Sequence, residues 1–94
     1  MIRVLLTERI RKTAEQLPRY LRDGASKAIA EVGAAFGDSH RHRGLGLRKL
    51  ARRSYEIRVQ RQWRVVSIHD GETLIAYDVM KHNEVAIWLR GQRK

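Results

Sequence analysis

The chain has 94 residues, 43% of them hydrophobic, and a formal net charge of +10 at pH 7. This length favours a single domain over residues 1–94, and the absence of cysteine excludes a disulfide scaffold and a thiolate zinc site. No stretch reaches the roughly 18 apolar residues of a membrane span and no secretory signal is recognisable, so we expect a cytoplasmic protein with no membrane partner.

The N-terminal part of the chain is predicted to form one strand and two helices. "MIRVLLT" is rich in aliphatic and β-branched residues, as is typical of a short strand. Thr7 is a suitable N-cap for the first helix, and Pro18 should end that helix and begin the next. The second helix has an apolar stripe from Leu21 to Phe36, and Gly37 is a natural stop. We expect a loop from Asp38 to about Leu47.

Positive charge is concentrated in the segment from Arg41 to Arg64. The segment holds nine arginine or lysine residues and one acid, Glu56, so eight of the ten net positive charges lie there. Such a charge implies a polyanionic partner, namely a nucleic acid, an anionic membrane surface or an acidic protein. The charge by itself does not choose among these three.

The C-terminal part is predicted to form three strands and a short helix. Apolar and polar residues alternate over Tyr55–Gln60, which indicates a half-buried strand, and Trp63–His69 forms a second strand. "HDGET" is a strong hairpin signal. "TLIAYDVM" follows as a third strand, apolar enough to be the centre of this meander. Asn83 is expected to cap the final helix.

These elements predict an α+β fold of the order β-α-α-β-β-β with a short C-terminal helix. The two helices would pack on one face of a small antiparallel sheet and leave the other face open. If the apolar residues of Tyr55–Val59 point to the helices, Glu56 and Arg58 point to the open face. Arg64 points to the same face if its strand directs Trp63 and Val65 to the other face. A concave, positively charged surface of this kind suits a phosphate backbone.

Five motifs in sequence order carry a resemblance to a known family, and together they cover nearly the whole chain. They are "TERIRKTAEQLP" after the first strand, "LRKL", "YEIRV", "WRVVSIHDGETLIAYDVMKH" and "HNEVAIWLR". In this order they resemble the RelE/ParE superfamily of toxins from bacterial type II toxin–antitoxin modules. The resemblance implies a RelE-like fold. Some members cleave mRNA on the ribosome, others poison DNA gyrase, and some have no known activity.

The ribonuclease members need a base for the 2′-hydroxyl, cations for the phosphate and an acid for the leaving 5′-oxygen. The resemblance implies that Arg64 holds the scissile phosphate and that His82 is the acid, with no metal and no small-molecule cofactor. His40 or His42 is a possible base, because no carboxylate occupies the loop position that supplies one in some relatives. The residues predicted to bind RNA phosphates are Arg41, Arg43, Arg48, Lys49, Arg58 and Arg61.

A ribosome-dependent mRNA endoribonuclease is therefore our first interpretation, with mRNA in the ribosomal A site and a cognate antitoxin as partners. A gyrase inhibitor and a non-catalytic nucleic-acid-binding protein are the alternatives. Glu56 is expected to pair with an arginine, whereas Arg64 has Asp78 as an alternative partner. Neither Arg64 nor His82 is expected to be needed for folding, since both should lie on the open face.

Overall fold

Five strands and four helices make up residues 2–92, the part of the chain that the computed structural model describes. In chain order they are β1 (Arg3–Leu6), α1 (Glu8–Glu15), α2 (Arg19–Ala35), α3 (Ser39–Gly44), β2 (Leu47–Lys49), β3 (Ser54–Gln60), β4 (Trp63–Asp70), β5 (Thr73–Lys81) and α4 (His82–Gly91). None of the four helices is long and apolar enough to cross a membrane.

The strands form one sheet in the order β1-β5-β4-β3-β2. Its core is the predicted antiparallel meander of β3, β4 and β5, and Gly71 in the β4–β5 turn has a φ of 60°. We predicted an antiparallel sheet. The observed sheet is mixed, because β1 runs parallel to β5. The prediction that β5 is central was also wrong. With β1 on one edge and the unforeseen β2 on the other, β4 becomes the middle strand.

The helices α1 and α2 pack on one face of the sheet, as predicted. Thr7 caps α1 by accepting the Ile10 N–H (3.1 Å), and its hydroxyl donates to the Tyr77 carbonyl (2.6 Å), so the cap also anchors α1 to β5. Gly37, with a φ of 97°, follows α2. The core combines both layers and consists of Ile10, Ala25, Val32, Leu47, Ile57, Val65, Leu74, Ala76 and Val79.

The predicted loop from Asp38 to about Leu47 contains the helix α3. The Asp38 side chain accepts the His40 N–H (3.2 Å) and so caps this helix. The helix has six residues and lacks an apolar stripe, which is why periodicity did not indicate it. After α3 the chain enters β2, which pairs antiparallel with β3 and places Arg48 opposite Glu56.

The final helix, α4, begins two residues earlier than predicted. Its N-cap is Lys81, whose N–H donates to the Glu84 carboxylate (2.8 Å), so Asn83 lies inside the first turn and is not the cap. The His82 N–H still donates to the Gln62 carbonyl (2.7 Å), so the chain passes directly from β5 into α4. The buried Val85 faces the sheet from α4. The sheet face opposite α1 and α2 is therefore partly covered by α4, whereas we predicted that it would be open.

Candidate functional site

A basic cleft lies on the sheet face opposite α1 and α2, beside the start of α4. It is lined by His42, Arg43, Gly46, Leu47, Arg48, Glu56, Arg58, Arg64 and His82. Four of these side chains are arginines and one is an acid, so the lining carries an excess of positive charge. The chemistry of the cleft is that of an anion site.

Strand register brings the charged groups of the basic cleft to one face. Arg58 of β3 lies opposite Arg64 of β4, and Glu56 of β3 lies opposite Arg48 of β2. Directly opposed residues point to the same side of a sheet. Their neighbours Ile57 and Val65 belong to the core on the other side. The predicted alternation of β3 and β4 is confirmed.

Arg64 is buried, with an exposed fraction of 6%. Its Nη1 donates to the carbonyls of Gln60 (3.1 Å), Arg61 (3.3 Å) and Trp63 (2.9 Å), all in or beside the β3–β4 turn. Arg64 was expected on the open face and not to be needed for folding, but its side chain is bound to the backbone of the turn. The predicted face is right, but the turn folds back over the guanidinium. Its Nη2 has no hydrogen bond within the described residues, and Arg64 is one of the residues that line the cleft.

Glu56 is the carboxylate that pairs with arginine, as predicted. Its Oε2 lies 3.3 Å from Arg48 Nε and 3.8 Å from Arg64 Nε, and the residue is only 6% exposed. Its Oε1 is buried and has no hydrogen-bond partner within residues 2–92. Asp78 is not the partner of Arg64. It lies 4.0 Å from Arg9 Nη1 and accepts the Val79 N–H (2.9 Å).

The two histidines of the basic cleft differ in what they can offer a substrate. The side chain of His82 is exposed at the first turn of α4. His42 packs on the Phe36 ring (5.7 Å between centroids), and its Nε2 accepts the Gly37 N–H (3.0 Å). In the neutral ring the proton then lies on Nδ1, so His42 presents a donor and has no free lone pair. The His82 imidazole makes no hydrogen bond within residues 2–92.

Six of the ten predicted site residues line the basic cleft, and four do not. Those that line it are His42, Arg43, Arg48, Arg58, Arg64 and His82. The other four are exposed elsewhere and are His40, Arg41, Lys49 and Arg61. Lys49 lies outside because adjacent residues of a strand point to opposite faces. Arg61 contributes its backbone carbonyl to Arg64.

Gly46 is a residue of the cleft that sequence reasoning missed. Its φ is +70°, and a Cβ at this position would lie 2.8 Å from the Cβ of Arg58. Its carbonyl accepts the Arg58 N–H (3.2 Å). Glycine therefore lets the end of α3 approach β3 closely. The glycines of "RGLGL" were the available signal, but they did not distinguish Gly46 from Gly44.

Within residues 2–92, no three histidine or carboxylate side chains lie close enough to hold a metal ion. A second groove, between α1, the end of β5 and α4, is lined by Lys12, Asp78 and Glu84 together with largely apolar neighbours. Its charge does not suit a polyanion. The basic cleft is therefore the candidate nucleic-acid site.

The chain is similar to known toxins. A family model of the ParE-like toxin domain matches residues 22–84. The RelB–RelE antitoxin–toxin complex from Methanococcus jannaschii matches with 18% identity and a TM-score of 0.66, over 87% of this chain and 94% of that one. The RelE–RelB complex from Pyrococcus horikoshii OT3 matches with 13% identity and a TM-score of 0.68, over 86% and 94%. The YoeB/ParE toxin from Agrobacterium tumefaciens matches with 14% identity and a TM-score of 0.63, over 86% and 99%.

Among curated protein sequences there is no match. At the identities above, the solved structures establish the RelE-like fold, which agrees with the α+β prediction. The family model covers more than half of the chain, and its range includes every residue that lines the basic cleft. The chain therefore belongs to the ParE-like toxin domain family, within the RelE/ParE superfamily of toxins.

Proposed function

We propose that this toxin is an endoribonuclease that cleaves mRNA in the ribosomal A site. The observation that carries the proposal is the position of His82, an exposed acid–base group, in a cleft that also holds the exposed arginines Arg43, Arg48 and Arg58. Cations there can bind the phosphate, and the imidazole can transfer a proton.

In the proposed reaction, the ribose 2′-oxygen attacks the adjacent phosphorus and the bond from phosphorus to the 5′-oxygen breaks. Negative charge grows on the phosphoryl oxygens, where Arg48, Arg58 and the free Nη2 of Arg64 stabilise it. His82, as imidazolium, donates its proton to the leaving 5′-oxygen. The products are a 2′,3′-cyclic phosphate and a 5′-hydroxyl. The 2′-hydroxyl proton passes to solvent water, because His42 Nε2 already accepts the Gly37 N–H and has no free lone pair.

Inhibition of DNA gyrase is the second candidate function. It is favoured by the match to the ParE-like toxin domain, since members of the ParE branch poison gyrase. It is also favoured by the burial of Arg64, whose Nη1 and Nε are engaged within the protein. A gyrase inhibitor needs no acid at position 82.

One pair of assays separates the two candidates. In the first assay the purified chain is added to ribosomes that hold mRNA in the A site. In the second it is added to gyrase and supercoiled DNA. We expect cut mRNA with 2′,3′-cyclic phosphate ends and no gyrase-linked DNA breaks. Intact mRNA together with trapped DNA breaks would refute the ribonuclease proposal and support gyrase inhibition.

A cognate antitoxin is the proposed protein partner. Two of the similar solved structures are complexes of RelE with RelB. The positive charge of the basic cleft also favours a partner segment with acidic side chains. Expression of the chain alone should arrest growth, and co-expression with an adjacent acidic gene product should relieve the arrest and give a stable complex. Normal growth in cells that accumulate the folded chain alone would contradict this proposal.

A further inference from the structure

We propose that Glu56 is a positioning residue, which attracts the guanidinium groups of Arg48 and Arg64 as an ion-pair partner on their Nε side and so turns their terminal nitrogens towards the RNA phosphate. This inference rests on the proposed ribonuclease function and adds a residue to it. Glu56 itself would not touch the substrate, because the residue is buried and its Oε1 has no exposed surface.

The first observation is that a single carboxylate oxygen of Glu56 forms ion pairs with both Arg48 and Arg64. Oε2 of Glu56 lies 3.3 Å from Arg48 Nε and 3.8 Å from Arg64 Nε. Glu56 is also the single acid among the residues that line the basic cleft. Both terminal nitrogens of Arg48 and the Nη2 of Arg64 have no hydrogen bond within residues 2–92. A guanidinium that faces Glu56 with its Nε side therefore keeps its terminal donors for a phosphate oxygen.

The second observation concerns Arg48, which depends on Glu56 for its orientation. The side chain of Arg48 is 67% exposed and stands on β2, an edge strand of three residues. A long exposed side chain samples many rotamers unless a partner restrains it. Cross-strand pairing puts Glu56 directly opposite Arg48. Restraint before the substrate arrives reduces the entropy that binding would otherwise lose.

The third observation is that stability alone does not account for this arrangement. A buried carboxylate is unfavourable unless its oxygens are hydrogen-bonded, and Oε1 of Glu56 is without a partner in the described part of the chain. Buried ion pairs are often no better for stability than apolar residues of similar size. A buried carboxylate at this position fits a role in orienting the two arginines.

A positioning role predicts that Glu56→Gln lowers kcat without raising KM. Glu56→Gln retains the size of the side chain but removes one negative charge from the cleft. RNA should therefore bind at least as well as before, because the cleft is more positive. The transition state should be bound less well, because Arg48 and Arg64 are no longer held in place. A purely structural residue would change stability without this pattern.

The kinetic test compares Glu56→Gln with Glu72→Gln in the full chain acting on programmed ribosomes. Glu72 is exposed in the β4–β5 turn, so its variant matches the change in net charge. We expect Glu56→Gln to lower kcat by about 10- to 100-fold with KM unchanged or lower, and Glu72→Gln to behave as the parent. A folded Glu56→Gln protein with the parent's kcat would overturn the proposal.

A second variant covers the case in which Glu56→Gln does not fold. Arg48→Lys keeps the exposed charge but has a single nitrogen, which cannot face Glu56 while separate donors reach the phosphate. It should lower kcat by about 10-fold or more, whereas Arg52→Lys, an exposed control outside the cleft, should not. Equal kcat values for these two variants would also overturn the proposal.

Nuclear magnetic resonance of the arginine Nε–H groups separates this inference from the proposed function. In the chain without RNA, Glu56→Gln should shift the Nε–H signals of both Arg48 and Arg64, and Glu72→Gln should leave them in place. Unshifted signals would overturn the positioning role whatever the activity. Shifted signals in a chain that cuts no RNA would refute the ribonuclease function while supporting the hold of Glu56 on the two arginines.

Discussion

Arg64 connects the basic cleft to the conformation of the β3–β4 turn. Its Nη1 donates to three backbone carbonyls, and its Nε faces the buried Glu56. A substitution of Arg64 therefore removes its contacts with the turn and Glu56 together with its proposed contact with the RNA phosphate. Loss of activity in an Arg64 variant is therefore weak support for a direct role in catalysis unless the fold is measured as well.

Arg64→Ala should lower the stability of the protein, whereas Arg58→Ala should not. Arg64→Ala leaves the three carbonyls of the turn without their Nη1 donor, and Arg48 becomes the remaining ion-pair partner of the buried Glu56. Unsatisfied buried polar groups cost about 1–3 kcal/mol. Arg58 is exposed, so its loss should change the free energy of unfolding by less than about 0.5 kcal/mol. Urea denaturation followed by circular dichroism measures both. Equal midpoints for Arg64→Ala and the parent would contradict the structural role.

At the residue scale, the sequence predicted which side chains share a face but not how deeply each is buried. Strand alternation correctly put Glu56, Arg58 and Arg64 together, because side-chain direction has a period of two. The burial of Arg64 depends on the conformation of the β3–β4 turn, whose carbonyls accept from its Nη1. Strand alternation gives the direction of a side chain but not the conformation of the turn beside it.

Among the secondary-structure elements, α3 has the largest effect on the cleft. It supplies His42 and Arg43, and its end is brought against β3 by Gly46. This helix was predicted as a loop because "SHRHRG" has no apolar period. The three-residue strand β2 is equally short. Long elements with a clear stripe, such as α2, were predicted with nearly correct ends because Pro18 and Gly37 mark them.

Gly46→Ala should be destabilising, whereas Gly44→Ala should not. A left-handed conformation costs a residue other than glycine about 1–3 kcal/mol, and the added Cβ would lie 2.8 Å from the Cβ of Arg58. Gly44 ends α3 with no heavy atom within 4 Å of an added Cβ, so alanine there should be neutral or stabilising by up to about 1 kcal/mol. Thermal unfolding of the two variants checks this. The reverse order of stability would be inconsistent with the close approach of α3 to β3.

For the whole molecule, the order of elements was predicted better than their pairing. The parallel contact of β1 with β5 joins residues about 70 positions apart in the sequence, and no local pattern indicates such a pair. Net charge likewise indicated a polyanionic partner without its location. Three exposed arginines meet His82 in the basic cleft, and only the fold places them there.

RNA binding should weaken with salt in proportion to the phosphates that the cleft neutralises. If Arg43, Arg48 and Arg58 each contact one phosphate of a single strand, log K should fall with log salt with a slope of about −2. Arg58→Ala should make the slope shallower by about 0.7. Arg22→Ala, an exposed change on the helical layer, should leave the slope unaltered. A parent slope near zero would contradict phosphate binding in the cleft.

The central claim is that His82 donates the proton in RNA cleavage, and the most direct measurement is the single-turnover rate of mRNA cleavage on programmed ribosomes. The comparison is His82→Ala against Asn83→Ala, its exposed neighbour in the first turn of α4. Both variants should unfold at the parent's temperature. We predict that His82→Ala is slower by about 10²–10⁴-fold and that Asn83→Ala cleaves at the parent's rate. A folded His82→Ala protein that cleaves as fast as the parent would contradict the account.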